Sequence, residues 1–427
     1  MNGVVKYPKG KLLPLNKVVT LFFSVYIFLY MFPNPLEEIP GLAGAIENIS
    51  KIADVFHIWI GRHILLIHNL QKPEPNGSGD TTFEYVKIAS YIVCALFITG
   101  AACLISLRRR LPISKFCDLV AVYARYYVGV YLIVYGIAKL NHGQFPFPSL
   151  YNLDESYGDS SPMALLWRFM GYSRSYTIFS GIGEITGGLL LLFRRTTILG
   201  TLTTLGLTLN VAVLNFSYDV PVKLFSSHLV LIDLFILAPW IRSLFQFFVS
   251  QKVTAIQYPR LHFHSRWVRA ARISGKILLI SLLPIGIAKS LASDKVTNDT
   301  TLGLHGVYDI IKFKCSHDHP EKEIDNLHRV KKIIVDEGYG RVTTTTDSFY
   351  YCDVLVDTVK HGICLRSFDD TAVRYSFSYE NTEKLQMEWF GVHNGDSVRI
   401  TLARKTPENY ILVNRAFHWI SENPYNW

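Results

Sequence analysis

Three ionisable side chains, Arg125, Lys139 and Glu184, stand inside apolar stretches of this chain. A charged group at bilayer depth costs about 2.5 to 3.5 kcal/mol even on the gentler insertion scales, so such residues pair or line a cavity and often mark a site. An acid in that setting can carry a proton, and a fixed cation can hold a developing anion. Glu184 is short and lies about two to three turns inside its apolar run, so a partner is expected, either Arg125 or Lys139. The two cations lie near opposite ends of one run, where each has the alternative of extending its head to an interface.

Asn210, Asn215, Asp219, His228 and Asp233 fall in or beside the next two apolar runs, and His228 is a second candidate for moving a proton. Tyr127, Tyr131 and Tyr135 recur every four residues and share one helical stripe, their hydroxyls available to buried partners; packing is the competing use of such a stripe. These tyrosines with Asn210, Asn215, Asp219, Lys223, Asp233, Asp159 and Trp167 make up the candidate cofactor-contacting set. Gly181, Gly183, Gly187 and Gly188 surround Glu184 and permit close helix approach.

The elements that must position these residues are membrane spans. Apolar residues make up 49% of the chain and charged residues 18%, and the apolar ones are clustered, which is the pattern of a polytopic membrane protein. Windows of about 20 residues give candidate spans at 17–34, 85–106, 117–140, 175–193, 197–217, 224–247 and 273–292. Basic clusters at Lys6 to Lys17, Arg108 to Lys115, Arg194 with Arg195, and Lys252 to Arg272 fall on one side if the N-terminus is cytoplasmic. The odd span count then puts the C-terminal region on the opposite side. The net charge of +9 is explained by these short basic loops, not by a nucleic-acid face. The first run lacks a small-residue cleavage pattern and is followed by Pro33, Asn34 and Pro35, so it reads as an anchor; no lipidation motif is evident.

Residues 35–84 form a first extracytoplasmic loop whose stretch 51–70 has helical apolar spacing, as an interfacial helix would. His57 and His68 would share a face and His63 would not; haem or metal ligation competes with plain interfacial histidines, and no HxxxH or HExxH spacing is present. Asn76 to Asp80 is turn chemistry. Within the membrane core, 85–292, the connection 141–174 is rich in aromatic residues, proline and glycine. It reads as a stiff segment around Phe145 to Pro148 and then a helix with Pro162 at its start, capped near Ser160 or Ser161, serving as a lid over a cavity or an aromatic belt.

From 293 to 427 short alternating segments separated by turn residues replace the apolar runs, predicting an antiparallel meander of about eight strands, enough to close a small barrel. Gly306, Val307 and Tyr308 sit where lipocalin-like barrels place a Gly-x-aromatic opening, and the terminal 417–427 reads as an aromatic plug or cap. Of six cysteines, Cys315, Cys352 and Cys364 lie in this exported domain. Cys352 and Cys364 flank a turn near Thr358, where a cross-hairpin disulfide is one outcome and free thiols the other. Cys315, His317 and His319 form a C-x-H-x-H run without a second ligand pair, so no metal is assigned. CxxC, CxxCH, Walker A, GxGxxG and GxSxG are absent.

The run from Arg125 through Gly129 to Gly136, Ala138 and Lys139, the loop proline Pro146, and Gly183-Glu184-x-x-Gly187-Gly188 with the basic pair after it resemble the DoxX family of bacterial membrane proteins, over about 118–240. The whole chain also looks like longer DoxX-like proteins of the Bacteroidetes. The resemblance implies a four-helix unit in a Gram-negative cytoplasmic membrane with a periplasmic C-terminal domain, and a quinone-linked redox component or an accessory subunit. A related helical arrangement in vitamin K-dependent carboxylase-like domains is architectural analogy.

By position Arg125, Lys139 and Glu184 match the family's recurring polar residues, while no haem or metal set is recognisable. The quinone reading puts an isoprenoid head group between the third and sixth spans. The alternative is a non-enzymatic scaffold whose barrel binds an apolar molecule or a protein partner. A transporter is a third reading, without a visible inverted repeat. Expected partners are membrane lipids and a membrane redox partner or periplasmic protein.

Overall fold

A computed structural model describes residues 14–34, 43–109, 111–141, 143–252, 274, 304–316, 329–336, 338–368, 374–383, 385–393 and 396–415. In chain order the helices are α1 (Leu15–Met31), α2 (Ala43–His63), α3 (Thr82–Arg108), α4 (Ile113–Leu140), α5 (Leu150–Asp154), α6 (Pro162–Tyr172), α7 (Arg174–Leu192), α8 (Thr197–Ser217), α9 (Lys223–Leu237) and α10 (Ile241–Phe248). Strands β1 (Gly306–Cys315), β2 (Val330–Asp336), β3 (Tyr339–Thr344), β4 (Phe349–Asp357), β5 (Gly362–Ser367), β6 (Arg374–Glu383), β7 (Gln386–His393) and β8 (Asp396–Lys405) follow, then α11 (Ile411–Asn414). The chain divides into two compact units, Met1–Phe145 with Leu165–Leu291, and Pro146–Ala164 with Ala292–Trp427.

Among the described residues five helices of the helical unit are long and apolar enough to cross a membrane: Thr82–Arg108, Ile113–Leu140, Arg174–Leu192, Arg194–Ser217 and Lys223–Phe248. Outward apolar side chains such as Phe97, Phe179 and Phe216 are compatible with contact to lipid tails. The first apolar run gives a shorter helix, α1, ending at Met31 just ahead of Pro33, which offers no N–H to continue it. The run 273–292 lies outside the described residues apart from Ser274.

α2 departs from the expected 51–70. It begins earlier and stops at His63, where Leu66 takes φ 59° and Arg62 ties the chain by donating Nη2 to the Leu70 carbonyl at 2.8 Å. His68 therefore lies beyond the helix and does not share a face with His57. His57 instead packs edge-on to Tyr91 of α3, at 5.1 Å.

α4 packs on α7, α7 on α8, α8 on α9, and α9 back on α4, closing a four-helix ring. α4 and α7 meet through two glycine pairs. A Cβ on Gly136 would lie 2.6 Å from the Gly181 carbonyl oxygen, and one on Gly188 would lie 2.6 Å from that of Gly129. Both pairs are spaced by seven residues, two turns apart on each helix, so the seam is backbone against backbone along its length. Of the other glycines singled out in the sequence, Gly187 backs onto Thr204 of α8.

In the second unit all eight strands pair antiparallel with their sequence neighbours and β8 returns to β1, giving a closed barrel. Alternation sends Tyr308, Val354, Phe377, Trp389, Ile400 and Leu402 into one core. Each large side chain buried there contributes roughly 1.5 to 3 kcal/mol. The Gly-x-aromatic triplet has a steric reason: a Cβ at Gly306 would meet Arg404 Nε at 3.1 Å, and Arg404 reaches over the Tyr308 ring, 5.9 Å from its centroid. The Tyr308 hydroxyl donates to the Leu304 carbonyl at 2.6 Å. One void inside the barrel, lined by Ile310, Val342, Tyr350, Phe377 and Ile400, measures about 10 Å³.

The segment 146–164 belongs with this barrel. Leu150 of α5 packs on Val307 and Ile334, which face outward from the sheet. The Leu150 backbone N–H donates to Asp336 Oδ2 at 2.9 Å, and Asp154 takes Lys332 Nζ at 2.6 Å and the Tyr410 hydroxyl at 3.0 Å.

Cys352 and Cys364 are free thiols. In the β4–β5 register Cys352 opposes Ser367 and Cys364 opposes Leu355, and Cys352 faces the core while Cys364 Sγ accepts from Arg374 Nε. The hairpin is centred past Thr358, so the two sulfurs do not meet across it. Of the C-x-H-x-H run only Cys315 is described; His317 and His319, like the terminal 417–427, lie outside the described residues.

Candidate ligand cavity in the four-helix ring

The last turn of α4 and the middle of α7 bring together the two residues that the bilayer would penalise most. Lys139 Nζ donates to both carboxylate oxygens of Glu184, at 2.6 and 2.7 Å. The side chains are 6% and 3% exposed. The pairing follows from the glycine seam: Gly136 and Gly181 bring the backbones close, and Lys139 leaves α4 just beyond the contact, its Cβ 3.1 Å from where a Gly181 Cβ would lie. Two charges removed from water are tolerated here because each neutralises the other and the contact is bidentate. Of the two partners open to Glu184, Lys139 is the one taken, and it does not extend to an interface.

The pair lies in the wall of a cavity of about 140 Å³ between the C-terminal ends of α4 and α8, the N-terminal ends of α7 and α9, and α6. Its wall is mainly apolar, with Leu132, Phe145, Leu166, Met170, Leu214 and Phe225. Trp167 packs edge-on to Phe145 at 5.1 Å, and the Lys139 ammonium lies 6.0 Å from the Phe145 ring centre. The polar groups Tyr135, Gln144, Tyr176, Ser180, Thr208, Asn210, Asn215 and Ser226 join the ion pair. An apolar cleft with a small set of convergent polar groups is the usual character of a small-molecule site.

The remaining candidates divide between this cavity and other tasks. Tyr135, Asn210, Asn215 and Trp167 line it. Tyr127 is buried in the helical core, its ring 4.7 Å from that of Tyr131, and Tyr131 packs edge-on to Phe225 at 5.2 Å. Arg125 sits midway along α4 and donates Nε and Nη2 to the Leu191 carbonyl, at 3.2 and 2.9 Å. It satisfies one of the carbonyls that the end of α7 leaves without a helical partner.

His228 lies outside the cavity wall. Its Nδ1 is 2.6 Å from the Leu224 carbonyl and its Nε2 2.6 Å from the Tyr26 hydroxyl, with the Tyr30 ring stacked on it at 3.9 Å. A carbonyl can only accept, so one neutral tautomer satisfies both contacts and fixes the ring. Asp233 accepts from Thr204 and Thr208 of α8, at 2.8 and 3.0 Å, locking α8 to α9. Asp219, at φ 51°, bonds Lys223 Nζ at 2.7 Å in the exposed turn between those helices. Asp159 is exposed, in a short 3-10 turn of the other unit.

Gln144 and Thr208 were not legible as site residues. Gln144 follows the span in a loop whose aromatic neighbours dominate the pattern, and Thr208 is one of many threonines on α8. Among the described residues no three His, Cys, Asp or Glu side chains gather in a metal-binding group.

No family model matches the chain, and no solved structure matches it. The uncharacterized protein YwoB of Bacillus subtilis (strain 168) is 33% identical over 113 residues, which cover 26% of this chain and 71% of that protein. The chain belongs to the same family as YwoB.

Proposed function

We propose that this is a DoxX-like membrane protein that binds the head group of an apolar amphiphile in the cavity walled by Lys139 and Glu184, as a quinone-linked redox component or its accessory subunit. The observation that carries the reading is the buried, mutually neutralised ion pair in an otherwise apolar cleft. Size supports it, since an apolar cavity of about 150 Å³ admits one six-membered ring. The residues fit a quinone in chemistry also: apolar and aromatic groups to flank a ring, with a few polar side chains in the same wall to bond its oxygens. A bound quinone would supply two-electron, two-proton chemistry. Lys139 and Glu184 would orient its head and fix the local charge. The basic loops support a cytoplasmic N-terminus and a periplasmic barrel in a bacterial inner membrane.

The test is mass spectrometry of lipids and cofactors extracted from gently purified protein, with its visible absorption spectrum. A stoichiometric quinone is expected, lost from Glu184→Gln protein that remains folded. Bulk lipid alone would overturn the ligand assignment. A second reading, a scaffold acting through the barrel, is favoured in one form by the filled barrel core: its partner would be a protein on the outer surface.

A further inference from the structure

Of the residues that line the cavity, Tyr176 on α7 and Asn210 on α8 are exposed, and the others are buried or half-buried. The two helices are neighbours: Gly187 backs onto Thr204, and a Cβ on Gly183 would lie 3.7 Å from Leu207. Continuing that antiparallel pairing by one turn sets Ser180 level with Asn210, and Tyr176 stands a further turn toward the start of α7. The open part of the wall is therefore a gap between the first half of α7 and the second half of α8. Phe179 and Ile182 on α7, and Leu209 and Val213 on α8, are exposed around it. Both helices are long and apolar enough to cross a membrane, so the gap opens toward lipid tails.

Asn210 lies about two turns inside the end of α8, and its carboxamide makes no hydrogen bond among the described residues. An amide set among exposed apolar side chains at that depth is costly unless a polar group bonds it. The cavity, at about 140 Å³, holds a ring and has no room for a chain as well, so the tail of an amphiphile must leave through the wall. We infer that the ligand lies across this gap. Its ring sits beside Lys139 and Glu184, its single apolar tail runs out between α7 and α8 into the bilayer, and the Asn210 amide donates to an oxygen of the head. This rests on the cavity being the quinone site, and it adds the route of the tail and the side from which the site fills.

The inference is tested on the full-length protein in lipid nanodiscs with duroquinone and its decyl homologue, in which a decyl chain replaces one methyl. Neither ring has an open position for a thiol to add. Once corrected for partition into empty nanodiscs, the two affinities should be equal, because the tail stays in lipid whether the head is bound or free. Asn210→Trp fills the gap and should weaken the decyl compound about tenfold relative to duroquinone. Phe97→Trp, on the exposed face of α3, should leave that ratio unchanged. Should Asn210→Trp fail to fold, a diazirine at the tail end decides on wild type: it should label α7 and α8 near Phe179 and Val213, and excess unlabelled decyl compound should prevent the labelling. Binding of duroquinone but not of the decyl compound, or labelling spread over all lipid-facing helices, would overturn the tail route and leave the cavity as a quinone site. Binding of neither compound would overturn both.

Discussion

The carboxylate of Asp80 accepts the backbone N–H groups of Lys223 and Leu224, at 2.8 and 2.9 Å, so the turn ahead of α3 caps the first turn of α9. The two segments are far apart in sequence. The Gly79 N–H adds a third tie to the Pro221 carbonyl at 2.7 Å. A negative charge on free N–H groups at a helix start is favourable both as a cap and against the helix dipole.

Asp80→Ala should therefore cost about 1 to 2 kcal/mol, and Asp80→Asn, which keeps an accepting oxygen, less than half of that. Thermal melts of the two variants in the same detergent check the order. Equal losses would mean that the one oxygen asparagine keeps does not hold the cap and that both carboxylate oxygens are needed.

Gly136→Ala and Gly188→Ala should each destabilise by about 1 to 3 kcal/mol, since the added methyl meets backbone that cannot turn aside. Gly100→Ala on α3 has nothing within 4 Å of the new Cβ and should be neutral or slightly stabilising. Melting temperatures of all three decide whether the α4–α7 seam has the tightness described.

His57 is 2% exposed, and burial beside Phe83 and Tyr91 lowers its pKa from 6.5 to about 4, with Lys87 adding to the fall and Asp54 opposing it. Between these values the unfolded segment holds more protons than the folded one, so stability is full above pH 6.5 and is lost as pH falls toward 4. Trp59 on α2 provides a fluorescence readout of that loosening. The pH dependence should be much reduced in His57→Phe.

Burial pushes the Cys352 thiol from 9 up to about 11, with Asp353 and Cys364 adding to the effect. The raised pKa contributes stability that is present below pH 9 and lost as pH rises toward 11. At pH 8 a thiol reagent should modify Cys352 only after denaturation, and Cys352→Ser should remove that slow-reacting thiol from the count. Rapid labelling of native protein would contradict the core position.

Glu184 was readable as a paired acid because it is short and deep in its run; its partner was not, because Arg125 and Lys139 both lie within reach along α4 and only the Gly136–Gly181 contact selects Lys139. The barrel was readable from period-two alternation and turn residues. The choice between a Cys352–Cys364 disulfide and free thiols shows the limit of that reading: pairing Asp357 with Gly362 fixes a register that places Cys352 and Cys364 out of opposition. His228 and Asp233 looked like site residues because buried polarity alone does not distinguish a helix-locking contact from a cavity wall. Asp80 looked like a plain turn residue since its partners lie far along the chain.

The docking of α5 on the barrel means that this domain is discontinuous in sequence. A ribosome finishes 146–164 long before it reaches the first strand, so the barrel has to find a surface piece already made. An excised fragment beginning near residue 300 would present Val307 and Ile334 to solvent and leave Asp336 without the Leu150 N–H. Such a fragment is a poor stand-in for the domain; a faithful one would splice 146–164 back by a linker.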